Sequence, residues 1–140
     1  MKNLTRYTDA QETVYQTALA EISGGRKRSH WMWFIFPQIQ GLGLSQTSKF
    51  YAIKDLEEAQ AFVMHPVLGS RLVQICKVLL RLKTTDAHKI FGSPDDIKLK
   101  SSMTLFASVR NADPVFQAVL DKFFNGEKDP KTLQLLGRQS

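Results

Sequence analysis

The residues able to do chemistry are concentrated in two stretches. The first opens with a basic triplet, Arg26-Lys27-Arg28, and continues as Ser29-His30-Trp31-Met32-Trp33-Phe34-Ile35-Phe36-Pro37-Gln38. It then runs through a glycine-bearing segment, Gly41-Leu42-Gly43-Leu44, to Ser45, Ser48 and Tyr51. Both tryptophans lie in it. Aromatic faces stack on planar rings, cationic groups neutralise phosphate or carboxylate, and hydroxyls and amides orient what is held. On that chemistry Trp31 or Trp33 is the stacking group and Lys27 neutralises the anion. Gln38 with Ser45 would orient the ligand, and Ser48 and the Tyr51 phenol would face the same cleft. His30 is the group in the block whose ordinary pKa suits general acid or base work near neutral pH. The plain alternative makes the aromatics core and the basic triplet a solvated turn.

The second stretch is Asp95 to Thr104, reading DDIKLKSSMT. On a helix Lys98 shares a face with Ser101 and Ser102. Lys98 and Ser102 are therefore ligand-binding candidates, although small hydroxyls also permit close helix packing. Hydrolysis of a glycosidic bond would need a carboxylate, and Asp95 or Asp96 could supply it only if folded beside the first stretch. Other chemistries lack their residues. His30, His65 and His88 stand at no metal-binding spacing, and no cysteine partners them, so no metal is expected. Gly41-Leu42-Gly43 has no third glycine and no βαβ context, the Walker pattern is missing, and so is G-x-S-x-G. No cofactor fingerprint is present.

Composition bounds the rest. The 140 residues suit one domain able to bury a core unaided, and 43% hydrophobic with 23% charged residues is ordinary for a globular chain. Nineteen Lys and Arg against thirteen Asp and Glu give a net charge of +6, which favours anionic partners. The basic residues are scattered apart from the one triplet, which argues against a nucleic-acid face. The single cysteine, Cys76, excludes an intrachain disulfide, and its apolar setting reads as a buried thiol. No apolar run approaches a membrane span and the first residues do not read as a signal peptide, so a cytoplasmic protein with no membrane partner is expected.

The elements that must position these groups are helices. Thr8-Asp9-Ala10-Gln11 reads as a capping box opening a helix to about Ile22, ended by Ser23-Gly24-Gly25. Trp31 to Phe36 is apolar throughout, and periodicity cannot separate a buried strand from buried helical turns. With no second strand to pair it, a short buried helix capped by Ser29 and stopped before Pro37 is preferred. Ser45 to Ala52 reads as a turn or two with Phe50 and Tyr51 inward. Asp55 caps a helix from Leu56 to about Met64, with His65 at the following junction. Pro66 starts the longest helix, to about Lys83, on the stripe Leu68, Leu72, Ile75, Leu79 and Leu82. Asp86 to Phe91 is a short helix closed by Gly92. Ser93-Pro94, Asp113-Pro114 and Asp129-Pro130 each read as a cap followed by proline at the first helical position. The expected fold is all-α, one compact domain (1–140) of about seven or eight mostly short helices.

At this point the residues acquire a likeness. Gly25, Lys27 and the run HWMWFIFPQ (His30 to Gln38), followed by GLGLSQTSKFYAI, HPVLGSRL, FGSPDDIKLKSSMTLFA and VFQAVLDKFFNGEKDPKTLQLLG, resemble an uncharacterised bacterial family carrying a domain-of-unknown-function label. Some of its members are automatically named calpastatin-like. Calpastatins are disordered, whereas this composition is globular. The resemblance spans nearly the whole chain and implies an all-α fold without an activity. In size, helical class and a Trp-rich pocket the chain is also loosely similar to the helical family that processes ADP-ribose-type N-glycosides, though that family's acidic catalytic residue finds no aligned counterpart. The expected function is binding or processing of a small anionic, nucleotide-like ligand. The alternative is a protein-interaction or homodimerisation domain using the aromatic block.

Overall fold

The computed structural model describes residues 3–137 and contains no strand among them, only helices and one isolated bridge. Ten helices follow in order: α1 (Thr5–Glu12), α2 (Tyr15–Ser23), α3 (Met32–Ile35), α4 (Gln46–Tyr51), α5 (Leu56–Met64), α6 (Leu68–Arg81), α7 (Ala87–Phe91), α8 (Asp95–Ala107), α9 (Pro114–Phe124) and α10 (Pro130–Gly137). The fold is all-α, as the capping residues predict. The count exceeds the expected seven or eight partly because the first helix is two. It breaks at Thr13 and Val14, adjacent β-branched residues that give up side-chain freedom in a helix.

Most starts match their sequence signals. The side chains of Asp55, Asp86 and Asp113 accept from backbone N–H groups of α5, α7 and α9, and Asp129 accepts from Thr132 N in α10. His65 Nδ1 accepts from Val67 and Leu68 N, so it caps the start of α6. Three signals are corrected. Thr8 opens nothing: it lies inside α1, where its hydroxyl donates to Thr5 O, while Asn3 Oδ1 accepts from Thr5 N. Ser29 does not cap α3, because its hydroxyl is turned to Glu21. Pro94 itself flanks α8, so Ser93 is not the cap.

The core is organised around α8, which packs on α5, α7, α9 and α10. Residues Leu99 and 101–106 are buried, so α8 has core on nearly every side. Its small hydroxyls make that possible. Ser101 donates to Ile97 O and Asp129 Oδ2, and Thr104 donates to Lys100 O while accepting from Asp129 N. Aromatic edges tie the rest together, with Trp31, Phe36 and Phe91 mutually in contact and Phe62, Phe106 and Phe116 in series. Cys76 is fully buried beside Met103, and burial pushes its thiol well above the ordinary range, as expected of an inert structural cysteine.

A helix end needs partners for its last carbonyls. Those of α6 are met by Lys122 from α9, whose ammonium donates to Leu79 O (3.1 Å), Leu80 O (2.9 Å) and Leu82 O. Lys122→Met keeps the stem and removes the charge. It is expected to lower stability by about 2 kcal/mol in urea denaturation. An unchanged midpoint would mean that water replaces the ammonium without loss.

Candidate functional site

The site is built where the loop after α2 meets the start of α8. Lys27 N donates to Ile90 O (2.7 Å), docking the loop on α7. The Lys27 ammonium donates to Ser29 O (2.6 Å), pairs with Asp95 Oδ2 (2.9 Å) and lies 5.1 Å from the Trp31 ring centroid. Lys98, one turn along α8, stands 3.6 Å from Asp95 Oδ1 and 5.5 Å from the Trp33 ring centroid. Two ammonium groups thus share one carboxylate, leaving a local surplus of one positive charge. They are not equivalent. The Lys27 side chain is 8% exposed and engaged internally, whereas that of Lys98 is 25% exposed and more loosely held. Of the two cations, Lys98 is the more accessible and Lys27 the more fully engaged.

Trp33 joins this cluster to a hollow of about 30 Å³ that it lines with Gln38, Gly41, Gly43, Ser48 and Tyr51. The isolated bridge sets the hollow's floor: Gln40 N donates to Ile53 O (2.7 Å) and Ile53 N to Gln38 O (2.8 Å). Arg6 holds the far side through Phe50 O, Ala52 O and buried Glu58, while the Tyr7 hydroxyl donates to Tyr51 O. Gly43 permits the closure, since a Cβ there would lie 2.3 Å from Ser48 Cβ. Around the hollow the Trp33 indole N–H, the Gln38 carboxamide and the Tyr51 phenol make no hydrogen bond among the described residues.

The remaining candidates are placed differently. Trp31 is fully buried and cannot stack on a ligand; its indole N–H donates to Glu21 Oε1 (2.8 Å). Phe34 and Phe36 are buried as well, whereas Trp33 is half-buried. Trp31 to Phe36 is helix at its centre rather than strand. Ser45 is exposed and spent on capping α4, where its hydroxyl accepts from Ser48 N and bonds the Ser48 hydroxyl. Phe50, expected inward, is 59% exposed. His30 is exposed and has neither hydrogen bond nor ion pair among the described residues. Asp95 does fold beside the loop, with both oxygens facing ammonium groups. Ser102 is fully buried on α8, and its hydroxyl has no partner. Among the described residues no group of three or more His, Cys, Asp or Glu could hold a metal, and no single helix is long and apolar enough to cross a membrane.

Two positioning residues escaped the sequence. Arg6 is one, with no local pattern linking it to α4. Glu21 is the other. It accepts from Arg28 N (2.8 Å), Ser29 N (3.1 Å), the Ser29 hydroxyl (2.6 Å) and Trp31 Nε1. Burial alone would raise its pKa, but the hydrogen bonds from Ser29, Arg28 and Trp31 overcome that and lower it to about 2. A carboxylate before a Gly-Gly turn is the only sequence trace of this role.

A family model described as a protein of unknown function (DUF1810) matches residues 1–136. The crystal structure of the conserved hypothetical protein Rv1873 from Mycobacterium tuberculosis is similar, with 46% identity over 96% of each chain and a TM-score of 0.93. No curated protein matches.

Proposed function

The chain belongs to the DUF1810 family, and we propose that this member binds a small anionic, planar compound of nucleotide or ADP-ribose type at Trp33. The observation that carries the reading is the set of unpartnered polar groups around the hollow, on an indole that also carries Lys98. An anion competes with Asp95 for Lys98, whose present ion pair is the longer of the two. The planar part lies against Trp33, and its polar edge meets Gln38 and Tyr51. A hollow of about 30 Å³ has room for little more than a water, whereas ligand sites are usually some 300 Å³ or larger. The ligand therefore lies across the mouth, and only a small polar group enters. Binding rather than catalysis is proposed, because Asp95 is held by two cations and no hydrogen bond or ion pair joins His30 to the cluster.

The test is a screen of nucleotides and ADP-ribose derivatives by thermal shift and tryptophan fluorescence. A bound compound must raise the melting temperature by mass action. Lys98→Ala is expected to weaken binding roughly tenfold, and Trp33→Ala to remove it, with the circular dichroism of both variants unchanged. If no compound shifts the transition, or Lys98→Ala binds as well as the parent, the reading fails.

A further inference from the structure

A larger groove, about 740 Å³ and open to solvent, lies apart from Trp33 between α2, α5 and α6. Its apolar lining comes from Leu19, Val63, Val73 and Val78, and its charged lining is Lys77 and Arg81, with no carboxylate. Neither cation has a hydrogen-bond or ion-pair partner among the described residues. They stand four positions apart on α6, a spacing at which like charges destabilise a helix. Arg81 recovers something from the carbonyl end of α6, but Lys77, a turn earlier, does not. At Val63 and Val73 the groove continues into a second hollow beside Met64, which is 72% exposed; Arg110 and Asp113, the cap of α9, also line that hollow. An exposed methionine at the end of a valine-lined trough is characteristic of surfaces that receive helices.

We propose that this groove docks an acidic amphipathic helix of a partner protein. Its apolar face would cover Leu19 and the valines, and a row of carboxylates would meet Lys77 and Arg81. The stretch of α6 from Gly69 to Arg81, at about 1.5 Å per residue, is roughly 18 Å long and matches three to four turns of such a helix. Neither α1 nor α8 of a second copy offers such a face: Asp9 and Glu12 on α1 are flanked by Thr5, Thr8 and Thr13 rather than by large apolar side chains, and the acids of α8 are paired with Lys27, Lys98 and His88.

The full chain would be titrated, by fluorescence anisotropy, into labelled synthetic peptides of about 14 residues. One carries Leu and Val on one face and Glu along its flank. The second has Lys in place of Glu, and the third is a scramble of the first. The acidic amphipathic peptide is expected to bind, and added salt to weaken it. The double variant Lys77→Glu, Arg81→Glu should lose roughly tenfold for the acidic peptide and gain the basic one, while keeping its circular dichroism. The proposal is overturned if the three peptides bind alike, if none binds, or if reversing the two charges leaves the acidic peptide's affinity unchanged.

Discussion

Gly69→Ala is expected to destabilise the protein by about 3 kcal/mol or more, a large part of the total stability of a domain this size. In an exposed helix interior the same change would stabilise by about 1 kcal/mol, because alanine orders at lower entropic cost than glycine. Here the sign reverses. Gly69 sits in α6 where it crosses α5, and a Cβ would lie 2.0 Å from Val63 O and 2.8 Å from Val63 C. Both atoms are backbone, so no side-chain rotation relieves the overlap. The two helices would have to separate, disturbing a core to which α5 contributes Ala59 and Phe62 and α6 contributes Leu68 and Leu72, all buried. Ser70→Ala, one residue on and exposed, is the control and should change little. A melting temperature for Gly69→Ala equal to the parent's would show that the helices do not approach this closely.

Glu21→Ala should cost about 3 kcal/mol, since it strips the partners from two backbone amides and leaves the indole N–H of a buried tryptophan unsatisfied. Part of this loss is pH-dependent. The folded pKa, about 2, lies below the ordinary 4.5, so the stabilisation is complete above about pH 4.5 and disappears as the pH falls towards 2. The shift corresponds to at most about 3 kcal/mol, and the partial exposure of the carboxylate reduces that to about 2. Denaturation curves of parent and Glu21→Gln should therefore differ at pH 7 and converge between pH 4.5 and pH 2. A constant difference across that range would mean that the carboxylate acts only through its shape.

How much of this was legible in the sequence follows from the range of each interaction. Asp55, Asp86, Asp113 and His65 announce helix starts because a cap acts within three residues, and the helical class follows from them. Ser29 misled because its hydroxyl had two possible partners, a nearby backbone amide and Glu21 from the preceding helix; only folding decides between them. The spatial grouping of the candidate residues was half readable. Lys98, Trp33, Gln38, Ser48 and Tyr51 do gather, since the aromatic run and the Lys-Ser helix are dense in suitable groups. Trp31 and Trp33 look alike in sequence, yet one is enclosed and the other half-exposed, and that difference comes from contacts with Glu21, Phe36 and Phe91. Lys27, which the sequence offers as an anion-neutralising group, is engaged by Asp95 and Ser29. Nothing local distinguishes an ammonium with spare capacity from one already satisfied.

The paired hydrogen bonds between Gln38, Gln40 and Ile53 have a consequence for how such proteins diversify. They pinch the chain shut at the base of the segment that carries Gly41, Gly43, Ser48 and Tyr51, and Arg6 pins its exit. Insertions, deletions or exchanges between Gly41 and Lys49 are therefore confined to one closed excursion and need not propagate into α3 or α5. The segment can vary there as a cassette, at constant scaffold, while the helices beneath keep their register.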